Sequence, residues 1–218
     1  MKQAVIDIGS NSIRLTLYKT QGQSFKILFR EKIMAGLAGY VEEGKLSAEG
    51  IDCACSGLLS FRSILQALEI ENVRVFATAS LRNISNTEQA LSVIHAATGY
   101  AVEVISGEDE ALFGYAGAME ELHLTSGAFL DIGGASTEIV TFEEGKPTDF
   151  ASFSLGSLSL YRRCVKKVLP GVGSVKRLRQ TVGSVIDIPQ GALAERVLVV
   201  GVGGTARATL KLARHYYK

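Results

Sequence analysis

Two short stretches place carboxylates where they could do phosphate chemistry. VIDIGSNSIRL, Val5 to Leu15, runs from an apolar strand into Asp7 and then Gly9, Ser10, Asn11 and Ser12. LDIGGASTE, Leu130 to Glu138, repeats the pattern with Asp131, then Gly133, Gly134, Ala135 and Ser136, and ends on Glu138. A strand closing on an acid, followed by a glycine turn and a returning strand, sets a carboxylate beside bare amides that can approach an anion. Asp7, Asp131 and Glu138 suit Mg²⁺, which bridges one or two acids to phosphate oxygens and keeps several waters. Laying Ala128–Phe142 over Ala4–Tyr18, an offset of 124, superposes Asp131 on Asp7, Gly133 on Gly9 and Ser136 on Ser12. A single such turn reads as a plain hairpin. Two at a domain-sized interval read as paired phosphate-binding loops. Arg14 and Glu138 occupy the same place in the two copies, so one supplies a cation for phosphate and the other an acid.

The elements that must carry these loops can be read from periodicity. Gln3–Ile8, Ser12–Thr20 and Phe25–Met34 alternate as a three-stranded meander. Ser47 can cap a helix whose apolar face holds Ile51, Leu58, Leu65 and Leu68. Val73–Ala77 reads as a buried parallel strand, Glu88–Ala97 as a helix, Val102–Ile105 as the next strand, and Gly107–Leu122 as a helix with Glu108, Asp109 and Glu110 at its start. The meander then recurs as Gly127–Ile132, Ser136–Phe142 and Asp149–Ser154. LGSLSLYRRCVKKV predicts a helix ending before Pro170, Val175–Ile186 another, and Arg196–Val200 a strand, after which GVGGTAR opens a last helix. Gly203, Gly204 and Thr205 sit at that opening, where helix amides can receive phosphate.

Composition narrows the classes. The 23 basic and 22 acidic residues balance, so no nucleic-acid partner and no membrane partner is expected, and self-association as a homodimer is left open. No apolar run is long enough to span a bilayer and Met1 leads straight into a strand, which reads as cytoplasmic. Cys53, Cys55 and Cys164 lack metal spacing and read as reduced packing residues. Arg162, Arg163, Lys166 and Lys167, with Lys176, Arg177 and Arg179 beyond, read as a solvated helix face or as a track for a long polyanion.

The element order resembles the duplicated ribonuclease H-like, actin-like ATPase domains shared by actin, hexokinase and Hsp70. That resemblance implies an α/β fold with a phosphate-binding cleft between two domains, 1–124 and 125–218, the second lacking its last strand and helix by internal symmetry. Within that superfamily the segments VIDIGSNSIRL, ATASLRN, ISGEDEA, LDIGGASTE and VGVGGTAR, in this order, are similar to the exopolyphosphatase and guanosine pentaphosphate phosphohydrolase (Ppx-GppA) family. The resemblance implies Glu110 as the base acting on the attacking water, Arg82 on the scissile phosphate, and Glu138 supporting the metal or the water. The family carries a third glycine where Ala135 stands; at positive φ an alanine would strain the loop, at negative φ it would be harmless.

The expected function is Mg²⁺-dependent release of terminal phosphate from inorganic polyphosphate, or of the 5′-γ-phosphate from guanosine pentaphosphate. The alternative is a non-catalytic sensor that keeps the phosphate loops and binds guanosine tetraphosphate or polyphosphate. A kinase or ATPase of the broader superfamily is disfavoured by ISGEDEA and TASLRN.

Overall fold

The computed structural model describes residues 1–22, 24–186 and 198–217. The chain divides into two compact units, Met1–Ser106 and Gly107–Lys218.

In the first unit β1 (Lys2–Ile8), β2 (Ile13–Gln21) and β3 (Ser24–Ile33) form the antiparallel meander. A 3-10 turn at Leu37–Tyr40 and the short hairpin β4 (Val41–Glu42) and β5 (Lys45–Leu46), none of which periodicity signals, lead into α1 (Ala48–Ala67). There follow β6 (Val73–Ala77), the single turn α2 (Ala79–Arg82), α3 (Thr87–Thr98) and β7 (Val102–Val104). The sheet order is β3-β2-β1-β6-β7, with β6 and β7 joining parallel. Alternation in the strands puts Ile6, Ile8, Ile13 and Leu15 into a core shared with Leu58, Phe61 and Leu65 of α1. Gly57 lets α1 lie on that sheet, since a β-carbon there would stand 2.9 Å from Ile13 Cδ1. The Ser47 hydroxyl caps α1 by accepting from the Gly50 amide at 3.3 Å. Asn86 exchanges two hydrogen bonds with the Leu46 backbone, at 2.9 and 3.0 Å, and so clips the short hairpin to the start of α3.

The second unit runs α4 (Gly107–Leu122), β8 (Gly127–Ile132), β9 (Thr137–Glu143), β10 (Lys146–Phe153), α5 (Ser157–Cys164), α6 (Val172–Gly183), β11 (Val199–Val202) and α7 (Gly203–Tyr216). Its sheet, among the described residues, is β10-β9-β8-β11 with β11 parallel to β8. The expected helix up to Val168 stops at Cys164, because Arg177 closes its end with Nε and Nη2 both donating to the Cys164 carbonyl, at 3.2 and 2.8 Å. α6 starts at Val172, ahead of the expected Val175. Of the expected strand Arg196–Val200, residues Arg196 and Val197 lie outside the described residues. No helix among the described residues is long and apolar enough to cross a membrane.

α4 groups with the second sheet, so the unit boundary lies at Ser106/Gly107, whereas internal symmetry alone places it at 124/125. Packing explains the difference. Tyr115 stacks edge-on against Phe129 at 6.3 Å and tilts over Phe142 at 5.2 Å, and Ala111 is fully buried beside them. Gly114 faces the Phe129 ring, where a β-carbon would stand 3.0 Å away. The Tyr115 hydroxyl is buried and has no hydrogen-bond partner among the described residues, so it contributes desolvation cost without return. Tyr115→Phe is therefore expected to hold or raise the urea midpoint, whereas Tyr115→Ala is expected to lose roughly 3–5 kcal/mol. A midpoint for Tyr115→Phe well below wild type would show that the hydroxyl is bonded after all.

Candidate functional site

Each unit presents one glycine loop, and the two are built alike. In the first, the Gly9 amide donates to the Ser12 carbonyl at 3.1 Å; in the second, Gly133 donates to Ser136 at 3.0 Å. A β-carbon on Gly9 or Gly133 would meet the same carbonyl at 3.1 or 3.2 Å, which is why both positions are glycine. Ser12 and Ser136 are buried beneath the loops, and Ser10 is buried as well, while Asn11 is exposed.

The loop carbonyls are tied back by the segment that follows each meander. Ala38 and Gly36 amides donate to Ser10 and Asn11 at 2.8 and 2.9 Å. In the second unit the Ser157 amide and hydroxyl donate to Gly133 at 2.9 and 3.0 Å, and the Leu158 and Ser159 amides donate to Gly134 at 2.9 and 3.1 Å. Because a peptide unit is planar with C=O and N–H opposed, fixing these carbonyls turns the amides of Asn11 and Ser12, and of Gly134 and Ala135, the other way. An anion-binding loop needs its amides turned away from its tied carbonyls in this way. Gly156 makes the second arrangement fit, since any β-carbon there would collide with Ala135 N and the Gly134 carbonyl. Ala135 is not among the non-glycine residues at positive φ, which are Glu43, Glu69, His123 and Glu144, so the alanine does not strain the loop.

The acids divide between the units. Asp7 pairs across β1 and β2 with Arg14, in register and at 3.8 Å between carboxylate and guanidinium. The equivalent pair across β8 and β9 is Asp131 with Glu138, two like charges in register. Glu138 is only 2 % exposed. Its carboxyl is pushed up to about 7, chiefly by burial, then by the charge of Glu110 and more weakly by Asp131, against hydrogen bonds from Ser152 and Ser136 that pull it down. The Ser152 hydroxyl donates to Glu138 Oε1 at 2.9 Å from the register position opposite it on β10. Of the three acids opening α4, Glu110 is half-buried and Glu108 and Asp109 are exposed, so Glu110 is the one turned toward Glu138.

Arg82 closes α2, and its Nη1 donates to the Ile105 carbonyl at 3.0 Å. Ser80, two residues earlier, ties α2 to the end of β1 by donating to the Ile8 carbonyl. Gly203, at φ 81°, lies against Asp131: a β-carbon there would stand 2.6 Å from Oδ1, so this glycine serves the acid directly. Gly204 and Thr205 begin α7, with open space around Gly204. Sequence reasoning did not single out Ser152, whose role appears only once the β9–β10 register is known, or Gly156, for which the SLGSLSL segment was the available signal.

A buried carboxyl that holds its proton to higher pH in the folded chain than in the unfolded one makes folding less favourable as pH rises between the two values. For Glu138 that window runs from the ordinary 4.5 to about 7. The cost above it is about 3 kcal/mol at about 1.4 kcal/mol per pKa unit, and below it the cost vanishes. With chelator present, Glu138→Gln is expected to be more stable than wild type at pH 8 and near it at pH 4, as read by urea midpoints. Equal pH slopes for the two proteins would exclude a buried, proton-holding Glu138.

The model of the Ppx/GppA phosphatase family matches residues 16–217, a span that takes in Arg82, Glu110, the Asp131–Glu138 loop and Gly203. Among solved structures, an exopolyphosphatase from Cytophaga hutchinsonii aligns over 100% of this chain and 72% of its own, with TM-score 0.88 and 24% identity. The Aquifex aeolicus member of the Ppx/GppA protein family aligns over 94% of this chain and 67% of its own, with TM-score 0.71 and 28% identity. An exopolyphosphatase-like protein aligns over 98% and 69%, with TM-score 0.85 and 22% identity. These likenesses identify the fold as the duplicated actin-like α/β type. With a match that runs from β2 to the last helix and covers the acids of the second unit, the chain belongs to the Ppx/GppA phosphatase family.

Proposed function

We propose that this chain is a Mg²⁺-dependent phosphohydrolase that releases terminal phosphate from inorganic polyphosphate, the 5′-γ-phosphate from guanosine pentaphosphate, or both. The observation that carries the reading is the buried Glu138, on which the charges of Glu110 and Asp131 both act, beside a loop whose Gly133 and Gly134 carbonyls are tied back to α5. Solved relatives bearing the name exopolyphosphatase point the same way.

Among the described residues no group of three or more His, Cys, Asp or Glu encloses a metal by itself. That donor chemistry fits Mg²⁺, which takes one or two carboxylates and fills its octahedron with water and phosphate oxygens. Asp131 and Glu138 would hold it in the second unit, and Asp7 is the candidate in the first. Bound there, the ion supplies charge neutralisation for the phosphoryl oxygens. Glu110 accepts the proton of the attacking water as the new O–P bond forms and the bridging P–O bond breaks, the leaving phosphate carrying away the bond's electron pair. In the second unit the amides of Gly134 and Ala135 hold phosphate oxygens; the first unit has its own phosphate-binding groups in the amides of Asn11 and Ser12 and in Arg82, steadied by the Ile105 carbonyl. Gly203 leaves room for the Asp131 carboxylate, and Gly204 and Thr205 offer the α7 N-terminus to a further phosphate. A non-catalytic sensor of guanosine tetraphosphate or polyphosphate would draw support from a strained Ala135, but that residue is unstrained.

The test is phosphate release from polyphosphate and from guanosine pentaphosphate, with Mg²⁺ and with chelator. Glu110→Gln is expected to lose at least about 100-fold in rate, the scale of a general base, while still binding polyphosphate. Binding by wild type with no release from either substrate would replace the enzyme reading with the sensor. In the same assays Gly156→Ala is expected to weaken phosphate binding, because the loop must move off α5; affinity equal to wild type would rule out the tied-back carbonyls as what shapes the loop.

A further inference from the structure

The near-zero total charge, on which no membrane partner is expected, hides a sharp segregation in the second unit. Between Asp149 and Asp187 the sequence contains no acid, yet it holds seven basic residues. Arg177 is committed to the Cys164 carbonyl and the Ser174 hydroxyl. Arg163, Lys166, Lys167, Lys176 and Arg179 are exposed, and none has a carboxylate partner among the described residues.

At the tip between α5 and α6, the same basic region exposes aliphatic side chains. Val168, Leu169 and Val172 are 84%, 78% and 91% exposed. The tip has a defined shape, since the Tyr161 hydroxyl donates to the Lys167 and Val168 carbonyls, at 3.2 and 3.1 Å, and Arg177 anchors the end of α5. Three aliphatics held in water in the same segment as exposed cations need a partner that rewards both kinds of side chain.

We propose that the α5–α6 tip docks this chain on an anionic phospholipid surface, with Val168, Leu169 and Val172 entering the headgroup boundary and the lysines and arginines meeting lipid phosphates. The alternatives fit less well. A free polyanion would satisfy the cations and leave the aliphatics in water, and the aromatic ring at the tip, Tyr161, is tied down by its hydroxyl to the Lys167 and Val168 carbonyls. A second copy meeting this face on a two-fold axis would set the cations against themselves. The inference is independent of the proposed phosphohydrolase activity.

Flotation with vesicles of equal parts phosphatidylglycerol and phosphatidylcholine at about 50 mM salt tests it, pure phosphatidylcholine being the control. Wild type is expected to float with the mixed vesicles alone. Lys166→Ala with Lys167→Ala is expected to weaken binding about 25-fold, at about fivefold per cation. Val168→Ser with Leu169→Ser, which leaves the charge unchanged, is expected to weaken it about tenfold or more. Urea midpoints equal to wild type would show that the surface variants fold, and Val172→Ser alone serves as the second apolar variant. Failure of wild type to float overturns the proposal. So does a serine variant that floats like wild type, which would leave only a polyanion track such as RNA or polyphosphate, or one that changes the oligomeric mass in light scattering, which would mark a self-association face.

Discussion

The contact between Gly156 and the Gly134–Ala135 peptide is the constraint on which the second loop depends. α5 can start where it does only because no β-carbon intervenes, and its first amides then fall on the Gly133 and Gly134 carbonyls. Helix-start amides are otherwise without intrahelical partners, and a loop carbonyl pointing at phosphate would repel it. One set of bonds meets both needs. The first unit reaches the same result with different parts, a 3-10 turn after β3 whose leading amides hold Ser10 and Asn11. What the duplication preserves is therefore the direction of the peptide planes, even where the tying segment differs in length and helix type.

The two copies diverge at the in-register cross-strand pair. Opposed charges, Asp7 and Arg14, are a favourable arrangement on adjacent strands; like charges, Asp131 and Glu138, are not. The second pair persists with Glu138 nearly inaccessible and Glu110 adding a third negative charge nearby. Burial and repulsion act in the same direction and leave a carboxyl that is half protonated near neutrality unless a cation compensates it. The Ser152 and Ser136 hydroxyls oppose that shift and keep the ionised form within reach. Such an arrangement lowers stability locally in exchange for a site with strong attraction for positive charge.

Much of this was legible in the sequence. The 124-residue offset gave the paired loops, and period-two alternation gave both meanders, because the hairpins carry their own signals over a few residues. Asp131 and Glu138 could be singled out by type and place, yet their being opposite one another follows from hairpin register, and the Ser152 bond from the next register again. The assignment of α4 was hidden for a different reason. Its amphipathic pattern shows that it must pack on something, and only Tyr115 seated between Phe129 and Phe142 says on which sheet. Periodicity likewise carried α5 too far, since Arg177, more than three turns away in sequence, determines where it ends.

The cores of the two units bear on how the site is held. The first unit has a core of fully buried side chains from β1, β2, α1, α2 and α3. Among the described residues the buried apolar cluster of the second holds Ala111, Tyr115, Phe129, Val140 and Phe142, and α7 buries none of its residues. Anything that binds the acids of the second unit in the folded state alone, whether a proton, a cation or a cation with phosphate, must raise the stability of that unit by mass action. The acids and the fold of the second unit are for that reason thermodynamically linked: ligand binding and folding each favour the other.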